Sequence, residues 1–269
     1  MKEVDVEILR EVQSSLKNGR KTRTVNDYMA FLKHVFSDAC KERVIDYNPC
    51  VLIKNLIIIE EQARNTHHRA LTLAEQESFF SCERAKSSYY YNVFRFAVLT
   101  GMRIGEIGAI RFSDVYDGLI HVERTITRLE SGAYAVGADG KTQAAKRVIP
   151  VNEQIIQILE EQREYNRLLD GKVSPIDDYV FKVVERGLLL ATPVDREIKR
   201  ICKVAGIAPF NAHAFRATFA TRAIESGKMA PRALMEVLGH KDVNLSLGLY
   251  GHCLEDTLRQ EMRAVVIAL

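Results

Sequence analysis

Four short segments, far apart in the chain, carry side chains that together suit chemistry on a phosphodiester. They are residues 101–106 (GMRIGE), 140–142 (GKT), 213–216 (HAFR) and 238–252, which begins LGH and ends YGH. Their reactive side chains are Arg103, Lys141, His213, Arg216, His240 and Tyr250, with Glu106 and His252 in support. Arginines can hold phosphate oxygens, a phenol can attack, and lysine or histidine can move protons. The set therefore predicts phosphodiester cleavage by a tyrosine.

Two of these segments place their polar side chains on one helical face. Arg103 follows the glycine that ends an apolar helix, and Glu106 lies one turn on and can hold the arginine in place. Taken alone, the two residues could equally form a surface ion pair that contributes little. His213 and Arg216 are also three residues apart and could reach one phosphate together. The alternative is a capping histidine and a surface arginine.

The other segments are weaker when each is considered by itself. Lys141 lies in a turn after a glycine and could protonate a leaving oxygen, although most turn lysines are simply solvated. Lys146 and Arg147 are alternatives for the same role. His240 follows a glycine that ends a helix, and Tyr250 lies between glycines in a loop, where a tyrosine can serve as a nucleophile. An exposed loop histidine and a surface tyrosine are the ordinary alternatives.

The N-terminal elements that would support these segments are helical. Residues 1–17 predict an amphipathic helix with four apolar residues at steps of four, Val4, Ile8, Val12 and Leu16. A second helix is predicted from near Thr24, capped by Thr24 or Asn26, and it should end before Pro49. The turn between them contains four basic residues and no acid, so it is a candidate DNA contact or a solvated turn: Lys17, Arg20, Lys21 and Arg23.

From Leu71 onward the pattern predicts further helices around one small sheet. Thr72 and Glu75 form a capping-box pattern, and residues 91–99 read as a buried helix ended by Gly101. β-branched residues alternate with polar ones at 118–151, which predicts a small antiparallel sheet. The remaining helices are predicted at 103–110, 152–169, 193–205 with Thr192 as its cap, 212–226, 231–238 and 254–266.

The overall composition limits the class of protein without identifying it. The net charge of +3 is modest for a chain of 269 residues, so a nucleic-acid site would have to be a local basic surface. The five cysteines are scattered, without zinc-like spacing, and their odd number argues against a disulfide framework. We expect a cytoplasmic protein, because no signal peptide or membrane-length apolar run is visible.

The order and spacing of the segments resemble the tyrosine recombinase (phage integrase) family. Residues 100–106, 213–216 and 238–240 are similar to the family's patterns, and the ten-residue step from His240 to Tyr250, with His252 after it, resembles integrases of integrative mobile elements. The resemblance implies a mainly α fold with a small antiparallel β-sheet (α+β). It also implies a partial helical core-binding domain at 1–60, a linker at 61–70 and a catalytic domain at 71–269.

The resemblance also implies a role for each reactive residue. Tyr250 would form a 3′-phosphotyrosyl link, Arg103, Arg216 and His240 would bind the phosphate oxygens, and Lys141 would protonate the leaving 5′-oxygen. His213 would act as base or positioning group, with Glu106 and His252 in support. No cofactor or metal is expected, because bond energy is kept in the covalent link and two arginines and a lysine can balance the phosphate charge.

The expected partners follow from the same resemblance. They are double-stranded DNA carrying recombination sites, further copies of the chain in a tetramer on DNA, and a directionality factor; no membrane is expected. The N-terminal part has room for only about two helices. The resemblance therefore supports cleavage chemistry more strongly than full recombination activity. Two alternatives remain open: a catalytically inert DNA-binding regulator on the same scaffold, and an enzyme resembling type IB topoisomerases.

Overall fold

The protein divides into two compact units, Met1–Asn65 and Thr66–Leu269. The structure is a computed structural model and describes residues 4–57, 69–138, 146–168, 178–183 and 187–239. Its described part is mainly α-helical with small antiparallel sheets, as the sequence predicts.

The first unit is built on two helices and a short 3-10 turn. These are α1 (Val6–Lys17), α2 (Thr22–Lys41) and the 3-10 turn Pro49–Leu52. The side chain of Asp5 caps α1 by accepting the amides of Glu7 and Ile8, each at 2.9 Å. The predicted caps of α2 are wrong, because α2 begins at Thr22 and its N-cap makes no side-chain hydrogen bond. Asn26 instead pairs in both directions with the backbone of Leu56, at 2.9 Å each.

The apolar contacts of this unit differ from the predicted stripe. Leu9 is the buried residue of α1, and it clusters with Phe36 and Cys50. Ile8 and Val12, which were expected on the buried face, are exposed. Val4 and Leu16, at the two ends of the predicted stripe, are half-buried, and Val4 packs against the cluster. The middle of the stripe differs because α1 packs on α2 and the 3-10 turn, and that packing, rather than spacing alone, selects Leu9.

The second unit contains eight described α-helices. They are α3 (Leu73–Ser81), α4 (Glu83–Lys86), α5 (Tyr91–Thr100), α6 (Ile104–Ile107), α7 (Glu153–Leu168), α8 (Ala191–Ala205), α9 (His213–Glu225) and α10 (Pro231–Leu238). The capping box of α3 is confirmed: Thr72 Oγ1 accepts the amide of Glu75, and Glu75 accepts that of Thr72. Helix α8 begins two residues before the predicted start, so Thr192 lies in its first turn instead of capping it. The helix predicted at 254–266 lies outside the described residues.

Among the described residues, the strands form two small sheets where the sequence predicted one. The strands are β1 (Val115–Tyr116), β2 (Leu119–Val122), β3 (Arg124–Arg128), β4 (Tyr134–Ala138) and β5 (Arg147–Pro150). One sheet has the order β1-β2-β5, and β3 pairs with β4 in the other; every pairing is antiparallel. In the three-stranded sheet, Val122 is paired with Arg147, so the first residue of β5 lies opposite the last residue of β2.

The centre of the second unit is a group of phenylalanines that joins α3, α5 and α9. The ring centroid of Phe79 lies 5.5 Å from that of Phe94 and 5.6 Å from that of Phe215, both edge to face. Phe210 completes the group, with its centroid 5.2 Å from that of Phe79. Aromatic pairs of this kind add to the hydrophobic gain from burial. This core fixes α9, the helix that begins with His213, against α5, the helix that leads to Arg103.

Two glycines in the left-handed conformation end helices beside the candidate residues, as predicted. Gly101 follows α5 with φ of +63°, and Gly239 follows α10 with φ of +66°. A Cβ on Gly101 would lie 2.6 Å from Cδ1 of Phe219, so this position excludes a side chain on two grounds. The chain can therefore turn sharply before Arg103 and before His240.

Candidate active site

The turn between α5 and α6 presents Arg103 and buries Glu106. Arg103 is the N-cap of α6, and its amide donates to Glu106 Oε2 at 2.8 Å. Its Nη1 donates to Glu106 Oε1 at 2.9 Å, which is the contact that the three-residue spacing predicted. The side chain of Arg103 is 45% exposed, whereas that of Glu106 is 1% exposed. The turn thus presents the Arg103 guanidinium at the surface and anchors it to the buried carboxylate of Glu106.

Glu106 has a second cationic partner from a distant strand. Arg147, at the start of β5, donates from Nη1 to Glu106 Oε1 at 3.0 Å and from Nη2 to Oε2 at 2.7 Å. Its Nε donates to the carbonyl of Val237 near the end of α10, at 2.7 Å. The Arg147 side chain is 5% exposed. A forked, bidentate pair of this kind fixes orientation as well as distance.

The charge state of Glu106 follows from this surrounding. Burial by itself raises the pKa of a carboxyl, and here it is the largest single influence. The hydrogen bonds and charge of Arg147, followed by those of Arg103, more than offset it and lower the pKa of Glu106 to about 2. Glu106 is therefore an anion at neutral pH and cannot act there as a proton donor.

Arg216 lies in the interior, where it bridges two helix ends. It is 3% exposed, and its Nη1 donates to the carbonyl of Gly101 at 2.8 Å. Its Nη2 donates to the carbonyl of Leu238, the last residue of α10. Carbonyls at helix C-termini carry partial negative charge and attract a guanidinium. Arg216 thus joins the turn before Arg103 to the turn before His240.

His213 is exposed at the first position of α9. Its amide donates to Asn211 Oδ1 at 3.1 Å, and the preceding amide, of Ala212, donates to Asp195 Oδ1 at 2.8 Å. Two side chains therefore satisfy the first amides of the helix and hold its start in place. His213 lies one turn before Arg216 on the same helix, and only Arg216 of the two is buried.

Several predicted site residues lie outside the described residues. These are Lys141, His240, Tyr250 and His252, and their assignments stay predictions. Within the residues that the structure describes, no group of three His, Cys, Asp or Glu side chains could hold a metal ion. Among the described helices, none combines the length and apolar character needed to cross a membrane.

The four basic residues proposed for DNA contact are exposed in the first unit. Lys17 ends α1, Arg20 and Lys21 lie in the turn, and Arg23 is in the first turn of α2. Lys17 also borders an open cleft of about 770 Å³ whose other basic lining residues are Arg10 and Lys54. The predicted basic surface is therefore larger than the run in the sequence, because the segment after the 3-10 turn folds back beside α1.

Arg147 is the residue of this region whose role the sequence did not reveal. The sequence suggested it as an alternative to Lys141 for a proton donor at a turn. The structure does not support that alternative, because the guanidinium is buried and donates to Glu106 and to the carbonyl of Val237. Its position at the start of a predicted strand was visible, but no local spacing connects it with Glu106.

The sequence of this chain matches a known protein family. The model of the phage integrase family matches residues 69–256. The chain is 25% identical over 247 residues to the ICEBs1 integrase of Bacillus subtilis, covering 88% of this chain and 63% of that protein. It is 25% identical over 265 residues to a XerC-like tyrosine recombinase of Caldanaerobacter subterraneus, covering 92% and 66%. The chain thus spans just under two thirds of the length of these relatives.

Solved structures share the fold. The Tn1549 transposon integrase, in complex with a circular intermediate DNA, aligns over 98% of this chain and 86% of its own, with a TM-score of 0.80 and 24% identity. A lambda integrase tetramer bound to a Holliday junction aligns over 94% and 66%, with a TM-score of 0.68 and 16% identity. At these identities the likeness demonstrates a common fold.

Proposed function

Because the chain belongs to the phage integrase family of tyrosine recombinases, we propose that it is a site-specific DNA recombinase of a mobile element. It would cleave and rejoin DNA through a 3′-phosphotyrosyl intermediate, in integration or excision. The chain's relatives come from bacteria, phages and transposons, so we expect it to act on DNA in a bacterial cytoplasm.

The observation that supports this proposal most is the joining of distant segments by two buried arginines. Arg216 donates to the carbonyls of Gly101 and Leu238, two residues before Arg103 and two before His240. Arg147 joins the same two regions through Glu106 and Val237. Two unrelated surface turns would not require buried arginines that hold them together. The bridge is the arrangement expected if both loops contribute to one phosphate site.

The proposed reaction conserves atoms and charge without a cofactor. The phenolic oxygen of Tyr250 attacks phosphorus, the bond from phosphorus to the 5′-oxygen breaks, and a bond from phosphorus to tyrosine forms. His213 accepts the phenolic proton, and Lys141 supplies a proton to the leaving 5′-oxygen. The 5′-hydroxyl of a partner strand then reverses the sequence of events and releases the tyrosine.

Charge on the phosphate is balanced by fixed donors. Arg103, Arg216 and His240 would donate to the non-bridging oxygens, where negative charge develops in the transition state. Glu106 and His252 act in support, and Glu106 does so by holding Arg103.

The remaining binding is proposed to come from phosphate contacts and from further copies of the chain. Lys17, Arg20, Lys21 and Arg23 would contact the DNA backbone, so affinity should fall as salt concentration rises. We expect a tetramer on DNA, with a directionality factor as a further partner. We assign DNA clamping to residues 1–60, the link to 61–70 and catalysis to 71–269.

The decisive experiment is covalent trapping on a nicked duplex. The duplex carries the border sequence of the mobile element that contains the gene, with a nick just 3′ of the cleavage position, so that the short fragment bearing the released 5′-hydroxyl is lost and cannot rejoin. The unaltered chain should form an adduct that survives detergent, and Tyr250→Phe should form none while retaining DNA binding. Tyr165→Phe, which alters a tyrosine of α7, is the matched control and should react normally.

The alternatives are separated by this experiment together with a strand-exchange assay between two partner sites. An inert DNA-binding regulator would bind the duplex without an adduct. A topoisomerase-like enzyme would form the adduct but would not exchange strands between two partner sites. An adduct formed by Tyr250→Phe would show that another residue is the nucleophile.

A further inference from the structure

Arg147 makes contacts that go beyond balancing one buried charge. Its two Nη atoms hold both oxygens of Glu106, and its Nε holds the carbonyl of Val237. The partners lie 41 and 90 residues away in sequence, so one side chain links three separate segments. A lysine in its place could offer donors from one point only, without the planar fork that reaches all three oxygens.

One side of this link leads to Arg103. Glu106 accepts the amide and Nη1 of Arg103, and its carboxylate plane is set by the forked contact with Arg147. The orientation of Arg103 therefore depends on Arg147 through Glu106. The backbone of Arg147 is itself fixed, because this residue pairs with Val122 in the three-stranded sheet.

The other side of the link leads to the turn that precedes His240. Besides the contact with Val237, the Arg147 side chain packs against Gly239: a Cβ placed there would lie 3.2 Å from Cδ and 3.3 Å from Nη1 of Arg147. The glycine, with φ of +66°, permits both the turn and this close approach. The packing of Gly239 on the Arg147 side chain thus fixes the direction in which the chain leaves α10.

We propose that Arg147 is a positioning residue for DNA cleavage, which holds the Arg103 turn and the Gly239 turn at a fixed separation. This inference rests on the proposed function. Arg147 does not touch DNA in this scheme; it acts through Glu106 and through the carbonyl of Val237. A displacement of about an ångström between catalytic groups costs on the order of 100-fold in rate.

The test is a single-turnover time course of adduct formation with Arg147→Lys, using the nicked border duplex at saturating enzyme. The variant should lower the rate constant by about 100-fold, on the same reasoning, with little change in the enzyme concentration that half-saturates binding. A merely structural role would instead lower the final amount of adduct, because fewer molecules are folded, and would leave the rate constant unaltered. An unaltered rate constant overturns the proposal.

A matched control exists in the same unit. Arg69 donates from Nη1 and Nη2 to the two oxygens of Glu75, at 2.6 and 2.5 Å, and Glu75 also accepts the amide of its helix N-cap. Arg69→Lys therefore breaks a similar but more exposed fork away from the candidate residues, and its rate constant should equal that of the unaltered chain. A fall as large as that of Arg147→Lys would overturn the proposal.

A double variant keeps the test decisive if the single variant folds poorly. Glu106→Gln combined with Arg147→Gln leaves no unpaired buried charge, so resistance to urea should recover toward that of the unaltered chain. The rate constant should remain low, because the fork is absent, and its recovery would contradict the proposal. If the unaltered chain forms no adduct, the proposed function itself fails, and the inference fails with it.

Discussion

Replacing Glu106 by glutamine should remove a stabilising contribution that depends on pH. The carboxylate is completely buried, and the hydrogen bonds and charge of Arg147 and Arg103 hold the pKa of Glu106 at about 2. An unfolded glutamate titrates near pH 4.3. Because the folded pKa is the lower of the two, the contribution is complete above about pH 5 and is lost as pH falls toward 2.

The magnitude follows from the difference between the two pKa values. A difference of about two units corresponds to about 3 kcal/mol of unfolding free energy at neutral pH. About 1 kcal/mol of this is lost by pH 3.5, where the unfolded carboxyl is mostly protonated and the folded one still ionised. Glu106→Gln at neutral pH should lose about 3 to 5 kcal/mol in total, because Arg147 is left without its carboxylate.

Urea unfolding followed by circular dichroism, at pH values from 3.5 to 7, measures this contribution. The quantity of interest is the difference in unfolding free energy between the unaltered chain and Glu106→Gln at each pH. Glu75→Gln is the matched control: hydrogen bonding to Arg69 lowers the pKa of Glu75, but its side chain is 20% exposed, so solvent screening should make its pH-dependent difference smaller.

One result would refute the reasoning for Glu106. If the difference in unfolding free energy stays constant from pH 7 to 3.5, the carboxyl does not change its proton binding on folding. The description of Glu106 as an ionised carboxylate paired with both Arg147 and Arg103 would then be incorrect. A difference that grows as pH falls would reverse the sign and would indicate a raised pKa.

Two further predictions concern the packing that supports the site. Gly101→Ala should lower the unfolding free energy by about 2 to 4 kcal/mol, because it adds left-handed strain and a Cβ placed 2.6 Å from Cδ1 of Phe219. Its control is Gly227→Ala, which has a similar φ and open surroundings and should lose only about 1 kcal/mol in the same urea titration. Equal losses for the two variants would contradict the packing argument. Thr218→Val keeps the shape but removes the acceptor for the buried amide of Leu71, at 2.8 Å, so urea unfolding should register a loss of about 1 to 3 kcal/mol. A loss below about 0.5 kcal/mol would show that this hydrogen bond is dispensable.

The sequence by itself determined the features that depend on short spacing. The capping box of Thr72 and Glu75, the helix-ending glycine at 101 and the contact between Arg103 and Glu106 all involve residues at most four apart. Local backbone geometry brings such residues together whatever the rest of the chain does. The order of the reactive segments likewise sufficed for the resemblance to the family.

Tertiary structure alone decided which distant groups meet. The bond from Arg216 to Gly101 spans 115 residues, and that from Arg147 to Val237 spans 90. No periodicity encodes such pairs, since they arise when α9, β5 and α10 pack around a common core. The same reason explains why Leu9 is buried on α1 in place of Ile8 and Val12, and why the described strands form two sheets where one was expected. Spacing limits which faces can be buried, and packing selects among them.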